Sequence, residues 1–138
     1  MHPSKQEYVE AARGWIGTRW VHQGRTRRGI DCVGLLIVAG ADVGIAVPDI
    51  PGYRRTPEPK RFVSFIIENS DQQDEIAPGH FGIFRDGNQP CHVGIFAEQN
   101  GVTTFIHAYA GRKVVMEEPF IHDWPNRIFA IRSIKGLV

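Results

Sequence analysis

An α+β fold, with helices first and an antiparallel sheet of about five strands after them, is predicted by three features of the chain. Apolar residues recur at helical spacing through the first half. After Pro78-Gly79 the pattern changes to short runs rich in Val, Ile and Phe, separated by turn signals. Between two of those runs stands Asn100-Gly101, the strongest short hairpin signal in the chain. Helices followed by strands, rather than alternating with them, point to segregated layers.

The elements follow in order. Ser4 and Glu7 make a capping-box pattern just after Pro3, and Tyr8, Ala11, Ala12, Trp15 and Ile16 recur on one face, which predicts a helix over residues 4–16. Gly17 closes it, and the polar stretch from Arg19 to Gly29, with Arg25, Arg27 and Arg28, reads as a solvated loop. From Cys32 to about Asp42 the chain is apolar on nearly every side until Gly44, as expected of a helix inside the core. Residues 48–59, punctuated by prolines, form a long irregular connection, and a helix resumes over 60–70 through Phe62, Phe65 and Ile66. Strands are predicted at His80–Arg85, His92–Glu98, Val102–Tyr109, Arg112–Glu117 and Ile128–Ser133.

Composition narrows the function classes. The 138 residues are expected to form one domain, 1–138, and at 42% hydrophobic and 22% charged they suit a globular core. A net charge of +1 gives no electrostatic footprint for nucleic acid or an anionic membrane. No apolar run approaches the roughly 18 residues that span a bilayer, so membrane insertion is not expected. The N-terminus lacks an apolar signal core, so action outside the cytoplasm would require delivery by something other than a leader. Cys32, Cys91, His92 and His107 show none of the short paired spacings of zinc sites, and no metal or cofactor is expected.

Cys32 begins the second helix, directly after Asp31, whose residue type suits the N-cap. Unpaired N–H groups and the helix dipole favour a thiolate there, although a cysteine at such a place also serves as a small buried hydrophobe. The hairpin supplies the second clue. A two-residue loop at Asn100-Gly101 sets His92 opposite Tyr109 and Gly94 opposite His107, whereas a four-residue loop sets His92 opposite His107. Both registers put the histidines on one face, and a three-residue loop separates them. A thiol with two imidazoles is the logic of a cysteine hydrolase, in which one ring takes the thiol proton and a third polar group orients it. Cys91 is expected to point through the opposite face into the core, and His2, His22, His80 and His122 are expected to be solvated.

These residues resemble the NlpC-type cysteine peptidases, papain-like hydrolases of bacterial cell-wall peptides. The resemblance runs through Gly17-Thr-Arg-Trp20, Asp31-Cys32-Val33-Gly34-Leu35, Pro78-Gly79, His92-Val93-Gly94-Ile95 and Ile106-His107-Ala108. It implies a papain-like fold with Cys32 as nucleophile, His92 as base and later acid, and His107 as orienter. Backbone N–H groups at the start of the second helix, including that of Cys32, would form an oxyanion hole. Asp31, Trp20 and Val33 would support the site, although Val33 replaces a usual serine, Trp20 a common tyrosine and His80 a common aspartate. The first two changes remove hydroxyls from the expected cleft.

Tyr53-Arg54-Arg55 and the run from Trp124 to Arg132 look like the branch of this family carried in phage tails and gene transfer agents. That branch implies tail hub or tip proteins as partners and a peptidoglycan peptide as substrate. It also implies a chain made in the cytoplasm and carried in the tail to the wall of a target cell. The alternative is a structural tail-tip component that keeps the fold with little catalysis, using residues 48–59 to dock.

Overall fold

The structure, a computed structural model, describes residues 2–50, 52–53 and 58–138. Three helices, α1 (Lys5–Arg13), α2 (Cys32–Asp42) and α3 (Pro59–Glu68), accompany a short ribbon, β1 (Arg25–Thr26) and β2 (Gly29–Ile30). The main sheet contains β3 (Ser70–Gln72), β4 (Phe81–Asp86), β5 (Gln89–Gln99), β6 (Val102–Ala108), β7 (Val115–Pro119) and β8 (Ile128–Ile134). Its order is β3-β8-β4-β5-β6-β7, with every pair antiparallel. The sheet therefore has six strands where about five were expected. The addition is β3, whose Ser-Asp-Gln sequence has no β-branched or aromatic residue to announce it.

Local signals set most boundaries. Ser4 and Glu7 form the reciprocal capping box that their spacing predicts. The helix stops at Arg13 rather than at residue 16, because Gly14 begins a tighter turn in which Trp15 and Ile16 N–H groups bond carbonyls three residues back. Trp15 is still buried, and its indole N–H reaches Asp42 at 2.8 Å, tying the end of α1 to the end of α2. The arginine-rich stretch is solvated only in part, with Arg27 and Arg28 exposed and Arg25 half-buried. It contains the β1–β2 ribbon, and Arg27 lies 3.5 Å from the Trp15 ring centre.

The Asn100-Gly101 turn takes the two-residue form, with φ of 52° and 79°, so Ile95 pairs with Ile106 and Gln99 with Val102. This register gives the sheet two different faces. Val93, Ile95, Ala97, Ile106 and Ala108 join α1, α2 and α3 in the main core. On the other face Phe84, Phe96, Phe105 and Phe120 form a second cluster, covered by Ile76, Trp124, Ile128 and Ile131. Each buried phenylalanine contributes on the order of 2 kcal/mol through lost apolar exposure. His92 and His107 belong to this second face, stacked on or beside its rings.

The segment before α2 is laced to the far edge of the sheet. Gly17 N–H bonds Val115 O at 2.9 Å, Val115 N–H bonds Thr18 O at 2.8 Å, and Trp20 N–H bonds Lys113 O at 2.8 Å. Trp20 also bridges Ile30, two residues before the cysteine. Arg13 completes the join by gripping Glu117 at 2.8 and 3.0 Å through two nitrogens.

Candidate active site

Asp31 organises the start of α2. Its Oδ1 accepts from Gly34 N–H and from Arg25 Nη1, both at 2.9 Å, as an N-cap carboxylate should. Its Oδ2 accepts from Gln23 N–H at 2.9 Å and from the Tyr53 hydroxyl. Arg25 in turn holds Asp49 at 3.0 Å and Tyr53 at 2.7 Å. The buried carboxylate is thus satisfied on both oxygens, as charge in the interior requires. Gly34 is needed beside it, since a Cβ there would lie 2.7 Å from Gly24 O, 2.9 Å from Arg25 Nη1 and 3.1 Å from Asp31 Oδ1. Sequence reading found Asp31 but missed Gln23, Arg25, Asp49 and Tyr53, which converge through tertiary structure. A surface pocket of about 280 Å³, lined by Gln23, Arg25, Asp49, Ile50 and Gly52, opens beside them.

The Cys32 thiol is half-buried and meets the N–H groups of Val93 and Val33. It therefore sits against the residue that follows His92. Burial pushes the thiol up to about 12, with the Asp31 carboxylate adding to the effect, while the two N–H groups act the other way. At this helix start burial therefore works against the thiolate that the helix N–H groups favour. Val33 is also relocated, since its side chain is 1% exposed and faces Leu36, Phe81 and Ile134 in the core rather than a cleft. What Val33 gives the thiol is its backbone N–H. Trp20 is half-buried against the core, on the segment that bridges to Ile30.

The hairpin brings the two histidines together. His92 Nε2 and His107 Nδ1 lie 2.9 Å apart, and His107 Nε2 lies 2.7 Å from Glu118 Oε2 on β7. Phe105 stacks on His107 with ring centres 4.0 Å apart, while Tyr109 and Trp124 flank both imidazoles. Gly94 makes room for this, because a Cβ there would meet Phe105 at 2.9 Å and the His107 Cβ at 3.2 Å. Burial holds His92 well below the usual histidine range, with His107 and Arg127 adding to the shift. Burial lowers His107 too, opposed by Glu118. Both rings are therefore neutral near pH 7.

Two expectations about other side chains are corrected. Cys91 is half-buried, not core, because Arg85 pairs with Pro90 while Phe84 pairs with His92, which leaves Cys91 as the extra residue of a bulge. His80 is 6% exposed rather than solvated, with Nδ1 2.9 Å from Glu75 O. Among the described residues no group of three His, Cys, Asp or Glu side chains is placed to hold a metal ion. Nor is any described helix long and apolar enough to cross a membrane. Arg54 and Arg55 lie outside the described residues.

Residues 17–133 match the NlpC/P60 family. This chain belongs to the NlpC/P60 family. It is 30% identical over 125 residues to the probable endopeptidase NlpC of Escherichia coli K12, covering 88% of this chain and 73% of that protein. It is 27% identical over 134 residues to the murein DD-endopeptidase MepS/murein LD-carboxypeptidase of the same strain, covering 94% of this chain and 63% of that one. An NlpC/P60 protein from Bacillus cereus superposes with a TM-score of 0.72 at 16% identity, over 97% of this chain and 41% of its own. The peptidoglycan hydrolase RipB of Mycobacterium tuberculosis gives 0.66 at 17% identity, over 94% and 63%. The NlpC/P60 fold, with helices against an antiparallel sheet, is the papain-like α+β architecture expected from the sequence. Glu118, by contrast, had no sequence signal, because its approach to His107 depends on the β6–β7 register across an irregular connection.

Proposed function

We propose that this chain is a cysteine peptidase that hydrolyses amide bonds in the peptide stems of peptidoglycan. The observation that carries the reading is the His92–His107 contact. It occupies His92 Nε2 and leaves Nδ1 outside that contact, while the Cys32 thiol lies one residue along the chain, against the Val93 N–H. The curated relatives, named as a probable endopeptidase and a murein endopeptidase, support the same substrate class.

In this mechanism the Cys32 proton passes to His92 Nδ1 as the sulfur attacks the scissile carbonyl, so a neutral pair becomes charged only as the bond forms. The oxyanion is held by the Cys32 N–H at the helix start. Collapse of the tetrahedral adduct breaks the C–N bond, and His92 returns the proton to the departing amine, leaving a thioester. His92 then takes a proton from water, the hydroxide adds to the thioester, and expulsion of the sulfur gives the carboxylic acid and restores the thiol. His107 orients His92 throughout. Incubation with purified sacculi, followed by mass spectrometry of released amines, tests the scheme. Release is expected from the wild type and not from Cys32→Ala, and equal release from both refutes it.

The finer reading places the enzyme in a phage tail or gene transfer agent, delivered to the wall by hub or tip proteins. The resemblance of residues 53–55 and 124–132 to that branch supports it. Tail proteins in the gene neighbourhood and co-purification with tail hubs are expected, and purification free of tail proteins from producing cells refutes it. The second reading, a non-catalytic tail-tip role, draws on the burial that disfavours a thiolate at Cys32. Thiol electrophiles separate the two, since a catalytic Cys32 reacts far faster than Cys91, whereas a scaffold shows equal slow labelling.

A further inference from the structure

We infer that Glu118 is a positioning residue that sets the direction of the hydrogen-bond chain through His107 and His92, and so fixes which His92 nitrogen is free to act as base. The inference deepens the peptidase reading and rests on the proposed Cys32–His92 pair.

The argument follows the protons. Glu118 is held below the usual carboxylate range, chiefly by its bond to His107, so at neutral pH it can only accept. The proton in the 2.7 Å contact therefore sits on His107 Nε2. His107 is neutral, so its Nδ1 is bare, and the 2.9 Å contact to His92 must carry its proton on His92 Nε2. A neutral His92 with a proton on Nε2 has a free lone pair on Nδ1. Without the carboxylate the two-ring chain runs equally well in reverse. His107 then donates from Nδ1, and His92 carries its proton on Nδ1, where it cannot act as a base.

The surroundings make Glu118 well placed for this. His107 is fully buried, whereas the Glu118 side chain reaches 14% exposure at the rim. Its second oxygen is anchored by Arg112 at 3.2 Å. The charged and titratable groups facing the pair are Glu118 from β7, Tyr109 just past β6, Arg112 from the 110–112 turn and Arg127 from the 124–127 turn, with Cys32 of α2 beside Val93, the next residue after His92. Arg112 and Arg127 oppose positive charge on the rings, and Glu118 favours it. A pocket of about 320 Å³ lined by Arg112, Glu118, His122, Asp123 and Trp124 opens at its carboxylate, large enough for a small anion.

The test is ¹⁵N NMR of histidine-labelled full chain at pH 7, with steady-state kinetics on the same samples. The wild type should show both rings protonated on Nε2. In Glu118→Ala a population of His92 protonated on Nδ1 should appear, and kcat should fall roughly 10–100-fold, the size of effect seen when a metal-bound histidine loses its outer partner. KM should change less than about twofold, because substrate binding is untouched. Formate, entering the vacated space, should restore both the tautomer and kcat. In Glu118→Gln, which keeps the shape and removes the charge, kcat should fall and the acid limb should move to lower pH, because the imidazolium loses its nearby anion. That variant carries the test if the alanine form does not fold. Wild-type tautomers and kcat in Glu118→Ala, or a wild-type His92 protonated on Nδ1, overturn the inference. The tautomers need no substrate to be read. Hydrolysis surviving Cys32→Ala instead removes the peptidase reading while leaving the tautomers where they are.

Discussion

Replacing Gly34 by alanine pits two effects of opposite sign against each other. Within a helix, alanine gains about 1 kcal/mol over glycine from backbone entropy. The new methyl group, however, would lie 2.7 Å from Gly24 O, 2.9 Å from Arg25 Nη1 and 3.1 Å from Asp31 Oδ1. These atoms are already joined, since Arg25 Nη1 donates to Gly24 O at 2.8 Å and to Asp31 at 2.9 Å. Gly24 is itself pinned through its N–H to Val21 O at 2.9 Å, so its carbonyl cannot retreat cheaply. Overpacking of this kind costs about 1–3 kcal/mol. Disturbing the Asp31 cap adds about 1 kcal/mol. The net is a loss of about 1–3 kcal/mol, which for a domain of this size lowers Tm by roughly 3–10 °C. Urea unfolding measures it directly, and Arg25→Ala supplies the second edge of a cycle. With Arg25 gone one of the obstructing atoms is absent, so the double variant should lose less than the sum of the singles. A Gly34→Ala protein more stable than the wild type by about 1 kcal/mol would refute this account, because propensity alone would then have decided.

Stability should also depend on pH below about 6.5. Both buried rings have pKa values pulled below the unfolded value near 6.5, so just below that pH the unfolded chain binds protons that the folded chain refuses. The contribution of these rings is then full well above pH 6.5 and is lost as pH falls below it, at no more than about 1.4 kcal/mol per unit for each ring, and more for His92 than for His107. His92→Gln should flatten the slope in urea titrations at pH 5.5, 6.5 and 7.5, and an unchanged slope contradicts the assignment. His92→Ala should abolish amine release from sacculi, whereas His107→Ala should leave residual activity, because an orienting group is partly replaceable. Full activity in His92→Ala overturns the proposed base. Gly94→Ala, which presses on the His107 Cβ from 3.2 Å, should lower kcat more than it raises KM; the reverse split would mean the cross-strand fit does not reach the chemistry.

What the sequence made legible was local. The capping box at Ser4 and Glu7, the apolar run of α2 and the Asn100-Gly101 turn each announce themselves within a few residues, and the turn carries two histidines onto one face without further help. What it hid was set at long range. Ser70 pairs with Ile134, and β3 exists because β8 offers it an edge, not because Ser-Asp-Gln prefers to be extended. Arg25 looked like a solvated charge until Asp31, Asp49 and Tyr53 closed around it. Cys91 looked like core because strict alternation was assumed through a bulge. The hairpin's two histidines and the Asp31 cap were legible, whereas Gln23, Arg25, Asp49, Tyr53 and Glu118 were not, since their places depend on where another part of the chain comes to rest.

The lacing of Gly17–Trp20 to Lys113 and Val115 joins residues nearly a hundred positions apart. Pairings of such separation close large loops, and loop closure must be met before the contact repays it, so they form late and slow the folding of the whole. The segment that flanks Cys32 is therefore fixed only once β7 is in place. The same arrangement resists loss: interactions absent from the transition state for folding chiefly slow unfolding. The join should act as a late-closing clasp, giving the folded protein a lifetime beyond what its equilibrium stability alone would supply.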